Sequence, residues 1–352
     1  MQGNETERPV LTGVEGRAGI IRLNRPRALN ALTPEMVRIA QGALTEYARD
    51  PAVSHIVLEG AGDRAFCAGG DIRYLVEKGK EQSGEAEAFW RDEYRLIHTL
   101  ANYSKPVIAL MDGIIMGGGA GLAMHVSHRI VTDNTRFAMP EVGIGFLPDV
   151  GATYRLARAQ GETGRYLALT GETVGAADVI HAGLADHHIR AERLGEFRNA
   201  LLAADASQLE SVIEQYAEKP EPGLFETYEA QIEAVFRHDT VNDIVEALTH
   251  RSLEFSKRTL ATILSRSPRS LLVTSELLRL GRTAPTLEDC LTREYHAACR
   301  CLSAPDYYEG VRAAVIDKDR NPKWSPATLA EAGAFDPEDI APVPGVPDPV
   351  YS

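Results

Sequence analysis

Lys105-Pro-Val-Ile-Ala-Leu-Met-Asp-Gly-Ile-Ile-Met-Gly-Gly-Gly-Ala-Gly-Leu122 joins a short, continuous apolar run to a cluster of glycines. The run over 105–112 reads as a buried strand, and the small residues from Gly117 to His125 read as a helix opening behind it. His128-Arg-Ile-Val-Thr-Asp133 then returns as a strand. Upstream, Arg17 to Asn24 alternates and is β-branched, and Val53 to Glu59 is another buried strand. Between them Thr33-Pro34 starts a helix in which Met36, Ala40, Leu44 and Tyr47 recur at helical spacing. Strand, helix and strand thus repeat through the first half, which predicts an α/β core with functional loops at the strand ends.

After Asp186-His-His-Ile189 the strand signals fade. Helical spacing takes over at 194–204, 208–217, 223–237, 241–251 and 254–264, and Ser267-Pro-Arg-Ser270 and Thr286-Leu-Glu-Asp289 cap two more helices. The chain therefore divides into a disordered N-terminus (1–9), a core (10–190), a helical C-terminal region (191–335) and a proline-rich tail (336–352). That tail is expected to be loop or disordered.

Composition narrows the function. Fifty acidic against 37 basic residues leave a net charge of −13, which opposes binding to nucleic acid or to an anionic membrane. No apolar run is long enough to span a bilayer, and the first residues lack the apolar core of a signal peptide. The four cysteines, Cys67, Cys290, Cys299 and Cys301, lack metal-ligand spacing and fit free thiols in a cytoplasmic protein. His125 and His128 lie three apart with no third ligand in view, so no metal is expected. Walker, Gly-x-Ser-x-Gly and His-Glu-x-x-His motifs do not occur, and Leu122 spoils a dinucleotide fingerprint at Gly117.

Two glycine turns remain, Gly117-Gly-Gly119 and Ala68-Gly-Gly-Asp71, each following a strand. Backbone N–H groups from two such points can bind a developing oxyanion; tight packing alone would also call for small residues there. Glu141, after Met139-Pro140, reads either as a partly desolvated base or as a solvated loop carboxylate. Asp149, between Pro148 and Val150, reads either as a site residue or as the cap of a helix starting near Ala152. Cys67 reads as a small buried hydrophobe, and Glu93, taken alone, as part of a solvated helix face.

Taken together, Asn24-Arg-Pro-Arg-Ala-Leu-Asn-Ala31, Phe66-Cys-Ala-Gly-Gly-Asp-Ile72 and Gly113-Ile-Ile-Met-Gly-Gly-Gly119 resemble the crotonase (enoyl-CoA hydratase/isomerase) superfamily. The resemblance implies a crotonase-like ββα-spiral core with an extended helical C-terminal region. It also implies an acyl-CoA substrate whose thioester oxygen is held by the N–H groups of Gly70 and Gly118, with Gly117 alongside. Ala28, Ala68, Gly70, Asp71 and Ile72 match positions along the CoA path. A hydratase of this family carries a glutamate where this chain has Gly121, and commonly a glycine where it has Asp149. Phe137 to Gly151 and Tyr308 to Pro326 instead resemble the 3-hydroxyisobutyryl-CoA hydrolase branch.

That branch implies hydrolysis of a 3-hydroxyacyl-CoA, of valine-degradation type. Glu141 would be nucleophile or general base, and Asp149 with Glu93 would bind the 3-hydroxyl. No cofactor is expected, because CoA is part of the substrate. A homo-oligomer is left open, since the extra helices could replace the family's trimer contacts. Two alternatives stand beside this reading: a hydratase or isomerase using Glu141 and Asp149, and a catalytically silent acyl-CoA-binding protein.

Overall fold

A computed structural model describes residues 8–351. Among the described residues there are nine strands: β1 (Val10–Glu15), β2 (Ala18–Leu23), β3 (His55–Gly60), β4 (Ala65–Cys67), β5 (Val107–Met111), β6 (Ile114–Met116), β7 (His128–Val131), β8 (Arg136–Ala138) and β9 (His187–His188). They form a six-stranded sheet in the order β1-β2-β3-β5-β7-β9 and a three-stranded sheet in the order β4-β6-β8. Only the β1–β2 pair of the larger sheet is antiparallel; its other neighbours run parallel, as crossover connections require. The four strands expected from their apolar runs are β2, β3, β5 and β7. The three-residue strands of the smaller sheet are too short to leave a periodic trace.

Four helices interleave with these strands: α1 (Pro34–Arg49), α2 (Ile72–Glu81), α3 (Glu85–Ala101) and α4 (Gly118–Met124). In α1 the Thr33 hydroxyl accepts the Met36 N–H, Pro34 occupies the first turn, and Met36, Ala40, Leu44 and Tyr47 form the buried stripe. Three short helices follow, α5 (Ala152–Leu156), α6 (Thr163–Thr170) and α7 (Ala176–His181). The remaining long helices fall close to their expected places: α8 (Leu194–Ala203), α9 (Leu209–Tyr216), α10 (Leu224–Phe236), α11 (Val241–Thr249), α12 (Glu254–Leu264), α13 (Pro268–Arg282) and α14 (Leu287–Cys301). Thr286 and Asp289 form a reciprocal capping box at the start of α14.

The chain folds into two compact units, each built from three stretches. One comprises residues up to Gly70, Arg95–Phe137 and Val174–Leu224; the other comprises Asp71–Tyr94, Ala138–Thr173 and Phe225 onward. This partition cuts across the expected boundary at 190. The reason lies in the large sheet, whose apolar residues Ile20, Val57, Ile108 and Ile130 are covered by Phe197 and Leu201 of α8 and Leu209 and Ile213 of α9. Those two helices thus belong with the sheet they keep dry. The second unit has an aromatic core, in which Trp90 stacks on Phe146 at 5.4 Å and Phe146 packs on Tyr307 at 5.4 Å.

Of the N-terminal stretch expected to be disordered, residues 1–7 lie outside the described residues. The carbonyls of Arg8 and Pro9 both accept hydrogen bonds from Asn24. The tail expected to be loose is largely irregular, yet it is tied down. Arg269 pairs with Asp339, Arg300 donates to the carbonyls of Ala341 and Pro342, and His296 meets Asp348 at 2.8 Å. Such polar anchors leave no periodic signal in a sequence rich in proline.

Candidate active site

In the sheet unit, the glycine turns are fixed by backbone conformations that side chains resist. Gly117 has φ 49° and ψ −125°, and Gly69 has φ 101°. A Cβ on Gly69 would stand 3.5 Å from the Gly118 nitrogen, so the two turns lie in contact. A Cβ on Gly119 would fall 2.1 Å from the Cys67 carbonyl oxygen, which excludes any side chain at that position. Gly118 is the first residue of α4, and its N–H is one of the donors a helix leaves unused. Among the described residues, neither Gly70 nor Gly118 donates in the turn and loop hydrogen bonds.

Ala28 ends a short 3-10 turn, exposed, and is followed by Leu29 and Asn30, both in the left-handed region. Buried Asn30 holds this loop: its Oδ1 accepts the Arg25 N–H, and its Nδ2 donates to the carbonyls of Ala61 and Ala65 at 3.0 and 2.8 Å. Ala68 donates to the Leu29 carbonyl and Leu32 to that of Gly69. The stretches carrying Ala28, Ala68 and Gly70 are therefore stitched into one surface of the sheet unit. Asp71 and Ile72 begin α2 in the other unit. Cys67 is buried, as expected of a small hydrophobe.

The helical unit gathers the acids. Glu93, on α3, is only 2% exposed, so its place on a solvated face is ruled out. Glu141 opens a 3-10 turn behind Pro140, and its Oε2, like Oε1 of Glu93, is buried with no hydrogen-bond partner. Asp149 accepts a 2.6 Å hydrogen bond at Oδ2 from the Tyr94 hydroxyl. Its side chain does not cap α5. Two N–H groups at its start are taken by a distant carboxylate: Glu294 of α14 accepts from Gly151 at 2.6 Å and from Thr153 at 2.9 Å.

Burial decides the charge states. Desolvation pushes Glu93 and Glu141 well above the ordinary carboxylate range, and the nearby charge of Asp149 adds to both shifts. Asp149 is raised too, by burial, while the Tyr94 hydroxyl pulls it back toward ionisation. Negative charge in this cluster therefore rests most easily on Asp149, with Glu93 holding its proton. A neutral carboxyl beside a carboxylate offers one donor and one acceptor, a pairing suited to an uncharged hydroxyl. Glu141, when ionised, is a stronger base than a solvated glutamate.

The sequence singled out Glu141, Asp149 and Glu93, but missed Tyr94 and Glu294. Both stand in similar local contexts, Arg91-Asp-Glu-Tyr94 and Arg293-Glu-Tyr295, and that repetition of Glu-Tyr was the signal available.

A sequence model of the Enoyl-CoA hydratase/isomerase family matches residues 18–340. The 3-hydroxyisobutyryl-CoA hydrolase, mitochondrial, of Rattus norvegicus is 42% identical over 330 residues, covering 92% of this chain and 86% of its own. That of Danio rerio is 38% identical over 338 residues, covering 94% and 88%. Among solved structures, a carnitinyl-CoA dehydratase from Mycobacterium thermoresistibile superposes with a TM-score of 0.92 at 41% identity, covering 97% of this chain and 98% of its own.

Proposed function

Because the chain belongs to the enoyl-CoA hydratase/isomerase family, we propose that it is an acyl-CoA thioester hydrolase acting on 3-hydroxyisobutyryl-CoA, releasing the free hydroxy acid and CoA. The observation that carries this reading is the extent of the likeness to the hydrolases, which takes in more than nine-tenths of the chain. The acid cluster agrees with it. Asp149, steadied by Tyr94, accepts the hydrogen bond of the substrate's 3-hydroxyl, and protonated Glu93 donates to the same oxygen.

The thioester carbonyl oxygen sits against the N–H groups of Gly70 and Gly118, each contributing on the order of 3 kcal/mol to the tetrahedral intermediate. Gly117 shapes that turn, and Ala28, Ala68, Asp71 and Ile72 border the CoA moiety. Glu141 acts on the carbonyl carbon, either as nucleophile through a mixed anhydride or as base toward a water molecule. A thiol has a pKa of roughly 8.5, so the thiolate leaves without a second acid to protonate it. Water supplies the oxygen and protons of the products, and no cofactor takes part.

A second reading, a hydratase or dehydratase, is favoured by the name of the Mycobacterium thermoresistibile structure. Against it stands Gly121, buried in α4, at the position of a hydratase's first glutamate. Thiol release from 3-hydroxyisobutyryl-CoA, measured beside loss of enoyl absorbance from crotonyl-CoA, separates the two. Hydration of crotonyl-CoA without thiol release would overturn the hydrolase, and binding without either would leave a silent acyl-CoA-binding protein.

No helix among the described residues is long and apolar enough to cross a membrane. We place the activity in the cytoplasm on the strength of four free cysteines. The vertebrate relatives are named as mitochondrial, so cell fractionation followed by the thiol-release assay is the test.

A further inference from the structure

Helix α14 presents two consecutive residues to the supports of Asp149. Glu294 is completely buried, and three donors converge on it: the Gly151 and Thr153 N–H groups and the Thr153 hydroxyl at 2.5 Å. Tyr295 sets its ring edge-on against Tyr94 at 6.2 Å, and Tyr94 in turn donates to Asp149. The chain leaves Asp149 through Val150 at φ 58° and Gly151 at φ 77°. A β-branched residue rarely takes up that left-handed conformation, and it persists only where the surroundings impose it.

Capping alone does not account for Glu294. Helix α5 has five residues, and a serine or asparagine at its own start would serve it without a buried acid. Glu294 instead keeps a carboxyl in the interior, pushed up to about 8 by burial within the field of Asp149, while the three donors pull it back toward the ionised form in which both oxygens accept. What that group fixes is the turn on which Asp149 stands.

We propose that Glu294 and Tyr94, braced by Tyr295, are the positioning residues that make the site selective for a 3-hydroxyacyl group. They hold Asp149 in the one geometry that accepts the substrate's hydroxyl. The proposal rests on the reading of Asp149 as that acceptor. Glu294 fixes the backbone on the C-terminal side of Asp149, and Tyr94 fixes its side chain through Oδ2. Neither touches the thioester, so hydrolysis of an acyl-CoA lacking the hydroxyl does not depend on them.

The experiment compares the full-length protein with Glu294→Gln and Tyr94→Phe variants. Thiol release is measured from 3-hydroxyisobutyryl-CoA and from isobutyryl-CoA, together with the melting temperature. In Glu294→Gln an amide NH2 faces a backbone N–H, donor against donor; Tyr94→Phe keeps the ring on Tyr295 and loses only the hydroxyl. Each variant is expected to lower the hydroxy-to-deoxy ratio of kcat/KM by about tenfold or more while leaving isobutyryl-CoA hydrolysis within about twofold. A lower melting temperature with the ratio unchanged would make both residues structural only and overturn the proposal. Should Glu294→Gln fail to fold, the ratio for Tyr94→Phe decides alone. A native protein with no preference for the hydroxylated ester would instead overturn the reading of Asp149 on which the proposal rests.

Discussion

The sheet unit and the helical unit supply the groups of the proposed chemistry from different materials. In the first, the proposed device is the backbone: Gly117 and Gly69 adopt conformations closed to side chains, and the donor of interest is the N–H of Gly118. In the second it resides in side-chain burial, with Glu93, Glu141 and Asp149 withdrawn from water and raised in pKa. A backbone device tolerates almost no substitution yet carries no titratable group. A buried acid cluster keeps its shape through isosteric exchange but loses its chemistry, and it ties activity and stability to pH.

The largest expected effect falls on the acid side. Glu141→Gln keeps shape and removes the base, so kcat should fall by several powers of ten with CoA-ester binding nearly intact. Near-normal turnover would exclude Glu141 from the reaction. The proposed reaction needs Glu141 ionised, and burial raises its pKa, so the rate should climb with pH through a range well above that of a solvated glutamate. A flat profile there would break the contrast between the units.

Next in size is the backbone device. Gly118→Pro deletes one N–H and should cost roughly 100-fold in kcat. Gly119→Ala, one residue along, should act on stability instead, because its Cβ would meet the Cys67 carbonyl oxygen. A folded Gly118→Pro protein with full activity would end the oxyanion assignment, and an unchanged melting temperature in Gly119→Ala would contradict the close approach.

Asp149→Ala tests the hydroxyl contact. Preference for 3-hydroxyisobutyryl-CoA over isobutyryl-CoA should collapse toward unity. Glu294 supplies the cap of α5, so the ~1 kcal/mol loss typical of removing an N-cap is not expected here.

The smallest effect is thermodynamic. Glu93 has a folded pKa above its unfolded value, so between the two the native state keeps a proton that the unfolded chain has released. Stability therefore declines as pH rises through that window. Glu93→Gln removes the titration, and its melting temperature should gain on the native protein's as pH rises above the ordinary glutamate range, with the difference shrinking as pH falls below that range. Parallel curves would place Glu93 in a more polar setting.

The two materials also differ in how openly the sequence displays them. Gly117 to Gly119 stand out because glycine is the residue a left-handed or crowded backbone demands, and β5 announces itself as Val107-Ile-Ala-Leu-Met111. The capped helices α1, α13 and α14 were legible from Thr33, Ser267 and Thr286. Glu93 was legible only through the family resemblance, since a helical glutamate taken alone looks the same whether its face meets water or Asp149. Glu294 lies 145 residues beyond Asp149 in the numbering, and only folding reveals that its carboxylate serves the turn there. The pairing of α8 and α9 with the sheet is hidden for the same reason: their apolar stripes show that they are covered, not by what.

Asn30 shows how much can hang on a single atom. Its Nδ2 faces two carbonyl oxygens and its Oδ1 faces an N–H, so both ends of the amide are spoken for. Exchanging that nitrogen for oxygen, as Asn30→Asp or slow deamidation would, changes the side chain's volume hardly at all. It would nonetheless set an anion against two acceptors in a place without water, where an unpaired polar group costs about 1–3 kcal/mol and a charge more. The loop bearing Ala28 thus depends on the identity of one nitrogen, and isosteric ageing at Asn30 would undo it.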